Sequence, residues 1–460
     1  MIISSISGIR GTIGGKPGEN LTPLDVVNFV SAYGTWVLTQ HKQPTIVIGR
    51  DGRTSGKMIL DITVQTLIGL GIDVINLDYA TTPTVAMSVV SNTAHGAIVV
   101  TASHNPKEYN GLKMLDTEGE FLSSAQGQEI LDIKEKNTYV YADVESLGTE
   151  TKSYNHTKDH IQKILELDLV NVALIRSKKY KICLDAINSV GGIAVPMLLE
   201  KMGVEVTGLY CECNGDFQHA PEPLEQNLGE LKSLVIKTES DIGIAVDPDV
   251  DRLVFINEKG EMINEEYTIV MVADYILSQT PGNTVSNLSS SRVLSDVTKK
   301  YNKEYFASAV GEKNVVEKMK SVNAVIGGEG SGGVIYPELH YGRDALVAIA
   351  LFLTYLAQSG NTISEIRNQY PDYYMAKEKV DIPSRDLINK IFDELELEYS
   401  KESISRIDGL KIDFKDSWVH VRASNTEPIL RIYTESKTAK DAYELAQEFI
   451  YKINNIIKVY

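Results

Sequence analysis

The stretch Thr45-Ile-Val-Ile-Gly49 opens the series of elements that decides the fold of this chain. Residues 60–70 follow it with the apolar spacing of a helix. Asp73-Val-Ile-Asn-Leu77 and Gly96-Ala-Ile-Val-Val-Thr101 are two further short apolar runs. Short apolar strands that alternate with helices are typical of an open, mostly parallel sheet covered by helices. The pattern predicts an α/β fold for this part of the chain.

The same alternation restarts after a polar connector at residues 145–155 and again after Glu261. Further strands are expected at residues 180–185, 204–209, 241–246, 284–288, 305–310 and 324–327. A buried helix is expected at residues 345–357, which form an apolar run too short for the roughly 20 residues that cross a bilayer.

Beyond about Tyr370 the pattern changes to strands with short links at residues 411–414, 418–421 and 429–433, then a long amphipathic helix at 439–457. This order indicates an α+β domain with an antiparallel sheet. The prediction is therefore three similar α/β domains with mixed, mostly parallel sheets at residues 1–150, 151–256 and 257–370, and a C-terminal α+β domain at 371–460.

The chain is acidic: its 460 residues include 45 basic and 62 acidic side chains, a formal net charge of −17. This balance argues against nucleic acid or an anionic membrane as a partner. Three cysteines are too few and odd in number for a disulfide framework, which favours a reducing compartment. The first ten residues lack a basic region followed by an apolar stretch, so we expect a cytoplasmic protein without a secretory signal.

A polar loop with a serine, Thr101-Ala-Ser-His-Asn-Pro106, directly follows one of the apolar strands. Ligands gather at the carboxyl ends of parallel strands, so Ser103 is well placed to be a nucleophile or a phosphoryl carrier. His104 is adjacent, but neighbouring residues of an extended chain point in opposite directions, so we do not expect His104 to activate Ser103. A simple turn before Pro106 is the alternative.

Three carboxylates alternate in the loop Asp247-Pro-Asp-Val-Asp-Arg252. Such a set can converge on one hard divalent cation, and an open site with few protein ligands suits Mg²⁺ shared with a phosphate oxygen. An EF-hand loop is excluded because its sixth position needs glycine, where this chain has Arg252, and because no helix precedes Asp247. A solvated acidic turn is the remaining alternative, and the flanking apolar strands weigh against it.

Two later loops could bind a sugar phosphate. Gly327-Gly-Glu-Gly-Ser-Gly-Gly333 lets the backbone approach a ligand closely, and Glu329 could hold two sugar hydroxyls, although a flexible lid would look the same. Arg422-Ala-Ser-Asn-Thr-Glu-Pro428 offers a guanidinium, hydroxyls, an amide and backbone N–H groups, which suit a phosphate. A hairpin loop with a surface arginine is the alternative here.

Taken in order, the four loops resemble those of the α-D-phosphohexomutase superfamily, which includes phosphoglucomutase, phosphomannomutase and phosphoglucosamine mutase. The resemblance covers nearly the whole chain and extends to Ser7-Gly-Ile-Arg-Gly11, Gly49-Arg-Asp-Gly-Arg53 and Tyr109-Asn-Gly-Leu-Lys113. It implies four domains around a central cleft, with one active-site loop from each domain.

The resemblance also implies residue roles. Ser103 is the phosphoserine, and its phosphate contacts one Mg²⁺ held by Asp247, Asp249 and Asp251. Arg10 and Lys113 flank the phosphoserine, Lys113 is a candidate general acid/base, and Arg252 lies beside the metal. The implied sugar contacts are Glu329 and Ser331. The implied clamp on the non-reacting phosphate is Arg422, Ser424, Asn425 and Thr426, with Arg431 nearby.

The implied reaction is a reversible exchange between hexose 1-phosphate and hexose 6-phosphate. Phosphorylated Ser103 gives its phosphoryl group to one end of the sugar, the bisphosphorylated sugar turns over, and the other phosphate returns to the serine. A hexose 1,6-bisphosphate primes the enzyme, and the partners are small hexose phosphates.

The sugar itself is predicted from finer features. Gly333 leaves no histidine where some relatives have one, so not every general acid/base assignment carries over. Val334-Ile-Tyr-Pro337 and Gly342-Arg-Asp344 resemble archaeal-type phosphoglucosamine mutases, whereas Ser331 replaces their usual asparagine and favours phosphoglucomutase or phosphomannomutase. Glucosamine phosphate is the narrow preference.

Two other classes of function fit the sequence less well than a mutase. A non-catalytic sugar-phosphate sensor would be expected to lack the serine or the aspartates, which are all present. A sugar phosphatase would transfer the phosphoryl group of Ser103 to water, and Glu329 with the Arg422 loop favours a sugar acceptor instead. The oligomeric state and the phosphorylation of resting Ser103 are left open by the sequence.

Overall fold

The apolar runs of the first segment form a mixed sheet of seven strands within the described residues, which are 2–5, 8–424 and 428–459 of a computed structural model. The strands are β1 Ile2–Ser5, β2 Gly8–Thr12, β3 Thr45–Arg50, β4 Asp73–Tyr79, β5 Ala97–Val100, β6 Tyr109–Leu115 and β7 Glu150–Lys152. Their order is β1-β2-β6-β5-β3-β4-β7. The pairs β3–β4, β3–β5 and β4–β7 are parallel, and β1–β2, β2–β6 and β5–β6 are antiparallel.

Four helices accompany this sheet: α1 Pro23–Gln40, α2 Gly56–Gly69, α3 Thr82–Ser91 and α4 Ser124–Lys136. The predicted helix at residues 60–70 therefore begins one turn earlier than its apolar spacing indicated. The connector predicted at residues 145–155 was wrong in part, because it contains strand β7. That strand is exposed along its length, so it has no apolar pattern by which to be recognised.

The second sheet carries the acidic loop. Its strands are β8 Lys181–Asp185, β9 Glu205–Leu209, β10 Ile242–Val246, β11 Leu253–Ile256 and β12 Met262–Ile263, in the order β12-β11-β10-β8-β9. Its helices are α5 His156–Leu165, α6 Val172–Lys178, α7 Gly191–Lys201 and α8 Gly229–Thr238, with a 3₁₀ turn at Glu225–Asn227. Because β10 and β11 pair antiparallel, the acidic loop joins two buried strands and is not an EF-hand.

The chain divides into two compact units. The first unit runs to Thr280 and also contains Ser331–Arg367, which adds α9 Glu266–Gln279, β16 Gly333–Ile335, α12 Ala345–Ser359 and α13 Ile363–Arg367. The second unit contains Pro281–Gly330 and the chain from Asn368 onward. The predicted domain boundaries at 150, 256 and 370 stay predictions.

The second unit contains a parallel set and an antiparallel sheet. The parallel set is β13 Asn283–Asn287 between β14 Tyr305–Ser308 and β15 Ala324–Glu329, with α10 Val293–Lys300 and α11 Glu312–Val322. The antiparallel sheet has the order β17-β21-β20-β19-β18. Its elements are β17 Tyr374–Asp381, α14 Leu387–Glu398, β18 Ser403–Ser405, β19 Leu410–Asp413, β20 Trp418–Ala423, β21 Ile429–Ser436 and α15 Ala439–Val459. The α+β prediction for this last part of the chain is confirmed.

No helix of the described residues is long and apolar enough to cross a membrane. Helix α12, the apolar run noted in the sequence, is buried along nearly its whole length in the first unit. A helix that is apolar on all sides is typical of a protein core.

Asp344 starts helix α12 and ties it to helix α5. One carboxylate oxygen accepts hydrogen bonds from Leu346 N at 2.8 Å and Val347 N at 3.4 Å. The other oxygen lies 2.9 Å from His160 Nε2 and 3.3 Å from His340 Nε2. Burial alone would raise the pKa of Asp344, but the two histidines outweigh it, so its pKa lies below the ordinary value.

Replacing Asp344 with asparagine is therefore expected to destabilise the protein by about 2 kcal/mol at pH 7, because a charged acceptor of buried hydrogen bonds is lost. A carboxyl whose pKa is lowered on folding stabilises the protein above its unfolded pKa of about 3.9 and loses that contribution as pH falls. Urea unfolding should thus show the difference between the variant and the unmodified protein shrinking as the pH falls from about 5 through the unfolded pKa towards the lower folded pKa. Asp61→Asn, which removes an exposed pair with Lys57, is the control and should cost under about 1 kcal/mol.

Candidate active site

The serine loop leaves strand β5 through a backbone turn that places Ser103 in the left-handed region, at φ 49°. The Ser103 backbone N–H donates to Thr101 Oγ1 at 2.9 Å, and Ser103 Oγ donates to Asp247 Oδ2 at 2.7 Å. Ser103 is buried, with 6% of its surface exposed. Residues from two sheets of the first unit thus meet at the predicted phosphoserine.

His104 lies closer to the serine than an extended chain would allow. Because Ser103 adopts positive φ, His104 Nδ1 comes to 3.5 Å from Ser103 Oγ, so the premise that the two side chains point apart was wrong. Burial first, and then the positive charge of Arg252, lower the pKa of His104 to about 2. The contact is at the limit of hydrogen-bond distance.

Arg53 binds the backbone of the serine loop and of the residues that follow it. Its guanidinium donates to the backbone carbonyls of Ser103 and Asn105 at 2.6 Å, Pro106 at 2.7 Å and Tyr109 at 2.8 Å. Arg53 is 1% exposed. The guanidinium is planar and rigid, so each of the four carbonyls that it binds is held at a fixed position. Arg53 therefore fixes the conformation of the loop.

Asp51 completes this support. Its carboxylate accepts from Arg53 Nε at 3.1 Å and from Thr101 Oγ1 at 2.6 Å, and it is fully buried. Burial raises the pKa of Asp51, and the neighbouring Arg53 opposes that rise. Both residues lie in the Gly49-Arg-Asp-Gly-Arg53 motif, to which the sequence alone assigned no role.

The three loop aspartates converge as predicted from their spacing. Asp247, Asp249 and Asp251 are all fully buried, and one oxygen from each lies within 4.8 Å of the others. Asp247 Oδ1 accepts the backbone N–H groups of Asp251 at 3.1 Å and Arg252 at 3.2 Å, so the loop closes on itself.

The donor set fits a hard divalent cation. Among the described residues, Asp249 Oδ1 and Asp251 Oδ1 are buried oxygens without a hydrogen-bond partner. Burial first, and then the charges of Asp251 and Asp249, raise the pKa of Asp247 well above its ordinary value. Unpartnered oxygens in a crowded group of carboxylates are what a bound cation relieves, and three carboxylates suit Mg²⁺.

Lys113 and Arg10 lie on adjacent strands beside these loops. Lys113 Nζ is 2.6 Å from Asp249 Oδ2 and 3.0 Å from Asp251 Oδ2. Burial would lower the pKa of Lys113, but the two aspartates outweigh it and raise the pKa above its ordinary value. Arg10, paired with Gly111 across β2–β6, donates to Asn105 Oδ1 at 3.2 Å.

Two further arginines lie beside the loop carboxylates, one at the end of the loop and one from a distant segment. Arg252 donates through Nη1 to Glu222 Oε1 at 2.9 Å, a partner that the sequence did not suggest. Arg343 donates through Nη2 to Asp251 Oδ2 at 2.8 Å and is 9% exposed. In the sequence, Arg343 stands out only as part of the Gly342-Arg-Asp344 resemblance. Its contact with Asp251 spans 92 residues, so no local pattern could reveal it.

In the second unit, Glu329 is held by polar contacts. Glu329 Oε1 accepts from Asn287 Nδ2 at 2.9 Å and from the Gly311 backbone N–H at 3.2 Å, and the side chain is buried. These contacts hold the carboxylate in a set orientation. Ser331 is the first residue of the segment that belongs to the first unit, and it is half-buried.

The predicted phosphate loop also lies in the second unit. Arg422 and Arg431 stand directly opposite each other on β20 and β21, and Arg422 Nη2 is 3.4 Å from Asp408 Oδ2. The Ser424 carbonyl accepts from Arg385 Nη2 at 3.4 Å, which adds a cation that the sequence analysis missed. Asn425 and Thr426 lie outside the described residues.

The chain matches four family profiles in succession. Their descriptions are Phosphoglucomutase/phosphomannomutase, alpha/beta/alpha domain I at residues 2–140, domain II at 158–260, domain III at 264–374 and C-terminal domain at 379–452. The chain therefore belongs to the phosphoglucomutase/phosphomannomutase family of α-D-phosphohexomutases. It is an isomerase that acts as a phosphohexomutase.

Two relatives carry different names. A protein named "Phosphoglucomutase/phosphomannomutase" from Thermococcus kodakarensis is 33% identical, and the alignment covers 97% of this chain and 99% of the relative. A "Probable phosphoglucosamine mutase" from Methanopyrus kandleri is 30% identical over 96% of each chain. A solved Burkholderia thailandensis family protein shares the fold, with a TM-score of 0.85, 24% identity and coverage of 99% and 98%.

Proposed function

We propose that this protein interconverts the 1-phosphate and 6-phosphate of a hexose through a phosphoserine at Ser103, with glucosamine phosphate as the preferred sugar. The observation that carries the proposal is the hydrogen bond of 2.7 Å from Ser103 Oγ to Asp247 Oδ2, which joins the serine to the acidic loop. The loop contains two further buried oxygens without partners among the described residues, at Asp249 and Asp251.

The reaction requires one phosphoryl transfer in each direction. The P–O bond to Ser103 Oγ breaks as a new P–O bond forms to the sugar hydroxyl, which loses its proton, and Ser103 Oγ regains a proton. The second transfer reverses this at the other end of the bisphosphorylated sugar. We assign the proton movements to Lys113. Its raised pKa keeps it protonated, so it can donate the proton that Ser103 Oγ regains, and the resulting amine can take up the proton of the sugar hydroxyl. We assign to Arg10 and Arg252 the neutralisation of charge on the phosphoryl oxygens.

Asp247, Asp249 and Asp251 are the residues that would hold Mg²⁺. When bound, the cation would neutralise charge on the phosphoryl group beside Ser103. Arg53 and Asp51 fix the backbone of the serine loop, so the serine presents its oxygen in one geometry. Such positioning matters because phosphoryl transfer between Ser103 Oγ and the sugar hydroxyl requires the reacting atoms to be held in line.

Further side chains are assigned to the rest of the substrate. Glu329 and Ser331 are proposed to bind sugar hydroxyls. Arg422, Ser424, Asn425 and Thr426 are proposed to bind the phosphate that does not react, together with Arg431, which stands opposite Arg422 in register. A hexose 1,6-bisphosphate is proposed to prime the serine.

The preference for glucosamine rests on the stretches 334–337 and 342–344, which resemble archaeal-type phosphoglucosamine mutases. The competing candidate is glucose or mannose, favoured by Ser331 and by the name of the Thermococcus relative. The difference between these sugars is confined to the group at carbon 2 or its stereochemistry, so a binding loop decides it through a small number of hydrogen bonds.

A panel assay tests the proposal. The protein is supplied with Mg²⁺, a hexose 1,6-bisphosphate, and the 6-phosphates of glucosamine, glucose and mannose, and both the isomeric products and free phosphate are measured. We expect isomer formation with little free phosphate, and at least about tenfold higher kcat/KM for the glucosamine compound. Free phosphate without isomer would contradict the mutase, and a higher rate on glucose or mannose would contradict the sugar preference.

A further inference from the structure

Arg343 reaches the acidic loop through space that only a glycine leaves. An added Cβ at Gly333 would lie 2.3 Å from Arg343 Cδ, far inside contact distance. Gly333 is therefore what lets the Arg343 side chain pass and place its guanidinium 2.8 Å from Asp251 Oδ2. Gly333, where some relatives have a histidine, is thus packed against the side chain of Arg343.

The backbone around Arg343 is tied at one end to Leu253, which directly follows the acidic loop, and at the other end to Val250 within it. The Gly332 carbonyl accepts from the Leu253 N–H at 3.0 Å, and the Ala345 N–H donates to the Val250 carbonyl at 3.2 Å. Between these two bonds the chain folds back on itself through a bridge of Ile335 with Arg343. The backbone that carries the Arg343 side chain is therefore held in a fixed position.

The two oxygens of Asp251 have different surroundings. Oδ2 receives both Arg343 Nη2 and Lys113 Nζ, whereas Oδ1 is buried without a hydrogen-bond partner in the described part of the chain. Two cations on one oxygen hold the carboxylate in one orientation and leave the other oxygen for a ligand. They also offset the mutual repulsion of Asp247, Asp249 and Asp251 before any cation binds.

From this arrangement we infer that Arg343 is a positioning residue of the acidic loop: it orients Asp251 and competes electrostatically with the divalent cation for that carboxylate. The inference rests on the proposed function for its effect on catalysis, but not for its effect on cation binding. Removing Arg343 takes a positive charge away from the buried carboxylates, so a divalent cation binds more tightly. Asp251 also loses a contact that fixes its orientation, so the carboxylates would hold a cation less well for transfer at Ser103, and turnover falls.

The test measures cation binding and turnover separately. Mn²⁺ serves as a paramagnetic probe of the resting protein, and Asp249→Asn identifies the signal that belongs to the loop. For Arg343→Met we expect Mn²⁺ to bind at least about fivefold more tightly. We also expect kcat to fall roughly tenfold or more, with KM for the sugar phosphate within about threefold of the original value. Arg343→Lys, which keeps the charge, should return Mn²⁺ affinity towards that of the unmodified protein.

Gly333→Ala supplies an independent test because it displaces the arginine without removing it. We expect it to tighten Mn²⁺ binding in the same direction as Arg343→Met, and to add nothing when combined with Arg343→Met. Weaker or unchanged Mn²⁺ binding in Arg343→Met, or additive effects in the double variant, would overturn the inference. If Arg343→Met fails to fold, Gly333→Ala is compared with Arg343→Lys instead. Tighter Mn²⁺ binding in Gly333→Ala than in Arg343→Lys supports the inference, and equal binding in the two variants contradicts it.

The two proposals fail separately. Absence of isomer formation by the unmodified protein would contradict the proposed function and leave the Mn²⁺ result standing. If the unmodified protein is active but Arg343→Met leaves the Mn²⁺ affinity unchanged, only the present inference is contradicted.

Discussion

Replacing Ser103 with alanine is expected to lower the mutase rate by roughly 10,000-fold or more, because the phosphoryl group loses its covalent carrier. Ser103 Oγ donates a hydrogen bond to Asp247 Oδ2 at 2.7 Å, so alanine removes the oxygen that lies beside the acidic loop. The change removes one oxygen from a buried loop without disturbing the grip of Arg53 on its carbonyls, so the protein should still fold. Circular dichroism and thermal unfolding of the variant check that expectation.

Mass spectrometry gives a second readout of the same residue. Protein incubated with a hexose 1,6-bisphosphate should yield a Ser103 peptide heavier by one phosphoryl group, and the alanine variant should yield none. Ser233→Ala, on the exposed face of helix α8, is the matched control and should keep both activity and the phosphopeptide. Full activity in Ser103→Ala, or a phosphoryl group on another residue, would refute the assignment.

Replacing Arg53 with methionine is expected to have the second largest effect, on stability as well as on turnover. The substitution deprives four backbone carbonyls of their donor and leaves Asp51 buried without its cation. Breaking a buried ion pair by removing one partner costs about 3–5 kcal/mol. Loss of the loop geometry should lower kcat by about 100-fold or more, since a displacement of about 1 Å is enough for that.

Urea unfolding and steady-state rates measure the two effects. Arg406→Met is the control, because Arg406 is an exposed arginine that pairs with Asp393 and Glu396. It should cost under about 1 kcal/mol and leave turnover unchanged. A loss of stability in Arg53→Met no larger than in this control would show that the serine loop holds its shape without the guanidinium.

The strands of the α/β segments could be predicted because they are buried and apolar. Residues 45–49, 73–77 and 241–246 each differ from the observed strand by at most two residues at either end. Strand β17, Tyr374–Asp381, was missed because it lies at a sheet edge and carries Lys377, Glu378 and Lys379 among its residues. Charged edge strands lack the apolar pattern on which such a prediction depends.

The acidic loop was predictable for a similar reason, since its alternating carboxylates are local. The supports of the site were not, because they act over long sequence separations. Arg53 binds carbonyls about 50 residues away, and Arg343 binds Asp251 across 92 residues. A buried arginine has the same local sequence signature as a surface arginine, so only the folded chain distinguishes them.

The pairing of Arg422 with Arg431 across β20 and β21 has an energetic consequence for the second unit. Two like charges directly opposite each other on antiparallel strands destabilise the pair. Asp408, whose Oδ2 lies 3.4 Å from Arg422 Nη2, offsets part of this repulsion, and the remainder is folding free energy that the unliganded protein has given up. An anion lying between the two guanidiniums would remove the repulsion on arrival, so part of its binding energy would come from relief of strain that the fold already contains.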